Sequence, residues 1–172
     1  PPVEFLTGRV DVFHGTNFVL PPTLRAAGVV TVHDLTYLRF PETVTGDVAE
    51  YERLVPRALA RAGAVVTVSQ AIAEELRAEY PDADVPVFVA PNGVDDEWLH
   101  ATPPDRADRV RLGLPEAYLL YAGTLEPRKD LGLLLAAHRA ARRADPAVPP
   151  LALCGPAGWG DRWQGHEPNP EE

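Results

Sequence analysis

Methionine is absent from the 172 residues, cysteine occurs once, at Cys154, and lysine once, at Lys129. A single thiol excludes an internal disulfide and a zinc cluster. Cys154 closes an apolar run and is expected to be a buried small hydrophobe. Arg supplies the other fifteen basic residues, so Lys is not used for surface solubility and Lys129 stands out. Acids outnumber bases 25 to 16, for a net charge of −9. Nucleic-acid binding needs clustered Lys and Arg against the phosphates, so a general nucleic-acid partner is excluded while a local anion site is not. No apolar run approaches the roughly 18 residues of a membrane span, and the first residues lack the basic-then-apolar order of a signal peptide. A cytoplasmic protein is expected, with peripheral membrane association left open. Because position 1 is not Met, the sequence is read as a piece of a longer protein. Clusters with metal-ligand spacing are missing too, and the acids at 82–84 and 95–97 lack a calcium loop, so neither a metal nor a cofactor is expected.

What is present alternates between two periods. Val10–His14 and Gly28–His33 read as short buried strands, separated by a loop that Pro21-Pro22 enforces. Over Asp47–Ala62 the residues Val48, Tyr51, Val55, Ala58, Leu59 and Ala62 fall on one helical face, with Pro56 predicted to kink or split the helix and Gly63 to stop it. Ala64–Val68 is continuous and β-branched, as in a strand covered on both faces. Ser69 is the expected cap of the helix that follows, which Pro81 ends. Val85–Val89 is a fourth strand. After a looser stretch with a short helix near Arg106–Leu112 come a strand at Tyr118–Ala122, a helix over Asp130–Ala144 and a strand at Leu151–Cys154. The helix carries Leu131, Leu134, Leu135 and His138 on one face, and His138 is assigned to the core. Strands alternating with helices at this spacing give an α/β fold built on parallel, Rossmann-like sheets. Four strands precede residue 90 and two follow residue 117. The second sheet is therefore incomplete, and its open edges call for self-association, a swap or a truncated packing to cover them.

In open parallel sheets, ligands bind beyond the carboxyl ends of the strands. The residues standing there are His14-Gly15, His33-Asp34, Ser69-Gln70, Asn92-Gly93 and the stretch Gly123-Thr124-Leu125-Glu126-Pro127-Arg128-Lys129-Asp130. Cations at a helix start oppose the macrodipole and cost a few tenths of a kcal/mol each, so fold stability alone does not select Arg128 and Lys129. A bound anion would reverse that sign. The alternative is a solvated basic pair beside an ordinary N-cap, Asp130. His33 has the chemistry to bond a substrate hydroxyl or stabilise developing charge, or equally to be satisfied by backbone at a strand end. Gly15 is read as a point of close backbone approach by a ligand or another chain. Nothing matches a dinucleotide fingerprint, a phosphate loop or a Gly-x-Ser-x-Gly elbow.

Taken in order, DVFHG at 11–15, VVTVHDLTYLRFPE at 29–42, VVTVSQAIAEEL at 65–76, VAPNGVD at 89–95, YLLYAGTLEPRKDLGLLLAA at 118–137 and LALCGPAGWG at 151–160 resemble the retaining glycosyltransferases of the GT-B fold, in the family 4 group that includes many bacterial mannosyltransferases. The resemblance implies a two-domain enzyme that moves a sugar from a nucleotide-diphosphate sugar to an acceptor with retention of anomeric configuration, without a metal. Residues 1–94 would be the later part of the acceptor-side domain, 95–117 the crossing, and 118–172 the first part of the donor-side domain. It also implies that Arg128 and Lys129 hold the donor diphosphate, that His33 faces the sugar at the reaction centre, and that Gly15, Gly123 and Thr124 contact the donor or line its cleft. The acceptor, whether glycan, lipid-linked or small molecule, is not legible.

Two departures accompany the resemblance. Thr124 stands where many relatives carry arginine, which removes one cation from the diphosphate grip. The family's E-x7-E donor segment is expected beyond residue 172, and the first strands of the acceptor-side domain before Pro1. On that reading a non-catalytic α/β binding or interaction module derived from the same fold is the alternative for this polypeptide.

Overall fold

The computed structural model describes residues 1–44, 46–48 and 50–158. The chain divides into two compact units, Pro1–Asp95 and Asp96–Glu172. Trp159 and Gly160, the end of the LALCGPAGWG segment, lie outside the described residues.

The first unit is a four-stranded parallel sheet in the order β1-β2-β3-β4, with β1 at Val12–Gly15, β2 at Ala27–Val32, β3 at Ala64–Thr67 and β4 at Val87–Val89. Register pairs His14 with Val29, Val30 with Val65 and Val66 with Phe88. The β-branched run at 64–67 is central, as its composition predicts: Val65 and Thr67 are fully buried, as are Val30 and Val32 beside them in β2. Three short helices precede β3: α1 (Glu4–Thr7), tied to the loop before β2, and α2 (Thr36–Arg39) and α3 (Tyr51–Leu59), which lie between β2 and β3. Helix α3 buries Val55, Ala58 and Leu59, the i, i+3, i+4 stripe of an amphipathic helix. It is shorter than the expected span. Gly46–Val48 forms a separate 3-10 turn, and Pro56 sits inside a helix that is not divided by it. Gly63 does not cap α3; its N–H instead donates to Gly28 O of β2 (2.8 Å). Helix α4 (Gln70–Glu79) starts where the sequence places it, with Ser69 Oγ accepting from the Ile72 N–H (3.2 Å). A surface ion pair, Arg39 Nε to Glu75 Oε1 (2.6 Å), links α2 to α4.

One contact in this unit has no counterpart in the sequence reading. The Glu4 carboxylate accepts hydrogen bonds from three consecutive backbone N–H groups, those of Leu24, Arg25 and Ala26, at 2.9–3.1 Å. These bonds, the one from Arg25 foremost, hold the carboxyl well below its ordinary value of 4.5, at about 2. A depressed folded-state value stabilises the fold above the unfolded value and is lost as pH falls through the folded one. The stability difference between the native chain and Glu4→Gln is therefore expected to be full near neutrality and to shrink as pH drops from about 4.5 toward 2. Urea unfolding of both chains at several acidic pH values measures this, and a difference that does not vary with pH would exclude the contact.

The second unit opens with helices α5 (Asp96–Leu99) and α6 (Arg106–Arg111), the latter capped by Asp105 Oδ1, which accepts from the Asp108 N–H (2.8 Å). A parallel two-stranded sheet follows, β5 (Leu119–Ala122) paired with β6 (Leu151–Cys154), crossed by α7 (Leu131–Ala144). Leu131 is the buried residue of α7, while Leu134, Leu135 and His138 are half-buried. His138 is thus not a core residue: its Nε2 donates to Pro149 O (2.8 Å), which tethers the helix to the chain entering β6. Cys154 is exposed, against the expectation of burial, because two strands do not cover both sides of β6. No described helix is long and apolar enough to cross a membrane.

Both sheets are parallel, with helices in the β2–β3, β3–β4 and β5–β6 crossovers and a non-helical segment between β1 and β2, so the fold is α/β and Rossmann-like. The residues singled out from the sequence stand at the carboxyl ends of their strands.

Candidate functional site

In the first unit the chemistry gathers where β1 and β2 end. β2 delivers His33 one residue past its last strand residue, Val32. Asp34 then accepts from the Thr36 N–H through Oδ1 (2.9 Å), a turn that starts α2 and fixes where His33 leaves the sheet. The half-buried imidazole is held from two sides. Its Nε2 lies 2.9 Å from Thr16 O, and its ring meets the edge of Phe18 at 5.6 Å between centroids and 64° between planes. Behind Phe18 stand Tyr51, stacked at 4.4 Å, and Tyr37, edge-on at 6.1 Å. Burial and the hydrogen bond to Tyr80 (3.2 Å) raise the Tyr37 phenol, so it stays protonated and neutral. His14 lies nearby, with Nε2 2.8 Å from Thr31 Oγ1.

Gly15 is required by close approach, but the approaching group belongs to the chain itself. A Cβ there would lie 2.0 Å from Val19 O. The loop doubling back on the strand it has just left is by itself enough to require the glycine.

In the second unit the corresponding loop leaves β5 at Gly123 and reaches α7 at Leu131. The Gly123 N–H donates to Cys154 O (2.9 Å) and the Leu125 N–H to Pro156 O (3.1 Å). Thr124 is half-buried, and its carbonyl accepts the Tyr121 hydroxyl (2.9 Å). Helix α7 does not begin at Asp130. Arg128 and Lys129 close a 3-10 turn, Pro127–Lys129, and Asp130, in left-handed conformation (φ 45°), is the N-cap, with Oδ1 accepting from the Leu133 N–H (3.3 Å). The cations lie just before the first helical turn, one residue further from it than a start at Asp130 would put them, which weakens the conflict with the macrodipole without removing it.

Glu126 is the residue that sequence reasoning missed here. Its side chain is 6% exposed and lies 2.6 Å from the Arg128 guanidinium. A buried carboxylate needs a partner, and the only sequence signal was an acid two residues before an arginine. The pairing leaves Arg128 oriented rather than loose. Lys129 is exposed, and its ammonium has no partner among the described residues. Of the four charged groups at 126–130, both carboxylates and Arg128 are engaged, and Lys129 is the uncommitted charge. The described residues include no group of three or more His, Cys, Asp or Glu able to hold a metal ion.

Comparison with known proteins adds to this geometry. A model of the family described as Glycosyltransferase Family 4 matches residues 4–98. An O-antigen chain mannosyltransferase B from Escherichia coli is 29% identical over 159 residues, covering 89% of this chain and 41% of its own length. The likeness thus extends past the first unit, and this chain spans about 41% of that relative. With the parallel sheets and the family match covering more than half of its residues, the chain belongs to glycosyltransferase family 4.

Proposed function

We propose that the chain is the part of a GT-B glycosyltransferase that carries the donor diphosphate grip in one unit and a sugar-facing histidine in the other. The reaction is transfer of a sugar, of the mannosyl class by analogy with the O-antigen relative, from a nucleotide-diphosphate donor with retention at the anomeric carbon. The observation that carries this reading is the uncommitted Lys129 ammonium, set beside an Arg128 already oriented by buried Glu126 at the approach to a 14-residue helix. Fixed positive charge of this kind stabilises a departing pyrophosphate better than mobile solvent does, because it needs no reorganisation as charge develops. Arg128 uses one N–H on Glu126 and keeps further donors for phosphate oxygens. Gly123 and Thr124 supply the backbone wall of the same loop. Gly15 contributes the close turn of its own loop, which lets the chain after β1 fold back beside His33.

The test is donor-diphosphate affinity. In the full-length protein, Lys129→Ala is expected to weaken nucleoside diphosphate binding about 12- to 150-fold, or roughly 1.5–3 kcal/mol, the range for hydrogen bonds to charged groups. Titration calorimetry reads this directly, and unchanged affinity in the variant removes the assignment.

A further inference from the structure

The segment Gly15–Val19 is folded more tightly than a connection between two strands requires. The Phe18 N–H donates to Thr31 O of β2 (2.9 Å), the Val19 N–H turns back to Asn17 O (2.7 Å), and Val19 O closes over Gly15, where no Cβ would fit. Phe18 is held at φ 61°, in the left-handed region that a residue with a Cβ rarely adopts. It nevertheless keeps 93% of its surface buried, with a relative exposure of 7%. Such local strain persists only where the surroundings over-determine it. They do so here through the stacked Tyr51, the edge-on Tyr37, and Asn17 Nδ2, which donates to the Tyr51 hydroxyl (3.2 Å).

Two products of this folding converge on one side chain. Thr16 O is aimed at His33 Nε2, and the Phe18 ring is set against the same imidazole. A backbone carbonyl only accepts, so Nε2 must carry the proton, and in the neutral ring Nδ1 is left as the acceptor. We propose that the 15–19 segment is a preformed clamp for His33, with Phe18 as the positioning residue that keeps Thr16 O in place and so fixes both the tautomer and the ring orientation of the histidine. The proposal rests on the reading of His33 as the sugar-facing residue for its functional meaning, but not for its geometry.

Nitrogen-15 spectra of the 172-residue chain, taken where the imidazoles are neutral, report the tautomer of each histidine. His33 is expected to be almost wholly Nε2–H in the native chain. A native His33 with its proton on Nδ1 overturns the proposal outright, whatever the variants do. Phe18→Gly relieves the left-handed backbone but deletes the ring, so it is expected to turn the single tautomer into a mixture, while Phe18→Tyr, which keeps a ring, restores it. His138, which donates through Nε2 to Pro149 O in the other unit, serves as the internal reference and is expected not to change. Should Phe18→Gly fail to fold, Tyr51→Leu leaves Phe18 in place, removes the ring stacked behind it and the hydroxyl that Asn17 bonds, and is expected to shift His33 in the same direction. A folded Phe18→Gly or Tyr51→Leu chain whose His33 signals match the native ones overturns the clamp. Turnover of the full-length Phe18→Gly enzyme separates the two levels of the argument. A lost tautomer preference with lowered kcat and unchanged donor KM supports both, whereas a lost preference with unchanged turnover leaves the clamp standing and removes His33 from the reaction.

Discussion

Gly155→Ala is expected to destabilise the second unit by about 2–6 kcal/mol, the sum of a strained backbone and an overpacked contact. Gly155 has φ +155°, and a Cβ built on it would lie 2.0 Å from Gly123 O and 2.6 Å from the Gly123 carbonyl carbon. Both atoms are backbone, so no side chain can move aside. Relief requires the ends of β5 and β6 to separate, which breaks the Gly123 N–H to Cys154 O bond and unseats the loop that carries Arg128 and Lys129. Hydrogen exchange read on the β5 and β6 amides, with the β2 and β3 amides as an internal standard, measures the loss where it arises. Native protection of β5 and β6 in the variant would show that this close approach is not maintained in solution.

A loss of similar size, about 2–5 kcal/mol, is expected for Leu35→Ala through cavity formation in a packed core. Leu35 is 1% exposed and belongs to the cluster formed by Val30, Val32, Val55, Leu59 and Val65. It also follows His33 and Asp34 directly, so the cavity opens beneath the turn that presents the histidine. Urea unfolding of the first unit quantifies the effect. Leu24→Ala is the fitting control, since Leu24 is 61% exposed and a surface substitution away from special features stays within about 0.5 kcal/mol. Equal losses in the two variants would mean that the cluster around Leu35 does not carry the stability assigned to it.

These residues also show where sequence reasoning reaches and where it stops. The β-branched run at 64–67 and the Ser69 cap are legible because each depends on local chemistry: side-chain period for the strand, one oxygen and one N–H for the cap. The order of elements along the chain is legible for the same reason. Cys154 and His138 were misplaced because burial is a tertiary property. An apolar run looks the same whether five strands surround it or one, and among the described residues one strand pairs with β6. The Arg128-Lys129 pair was placed ahead of the helix, where it stands, but the 3-10 turn that holds it was not foreseen, since such a turn and a loop share their residue preferences. Glu126 escaped for the same reason, since its importance lies in its burial, and Phe18 for a different one, a left-handed backbone that no local pattern announces.

The parallel pair β5–β6 does not end with its strands. Leu125 bridges Ala157 in the same parallel sense, and the Gly158 N–H returns to Leu125 O (3.1 Å), so the segments leaving the two strands remain stitched together. Lengthening either one by a residue would throw every rung of that stitching out of step. Variation between Ala122 and Leu125, or between Cys154 and Ala157, is consequently confined to exchanging side chains at fixed spacing, and insertions, the commonest way for loops to diversify, are left to the residues that follow Leu125.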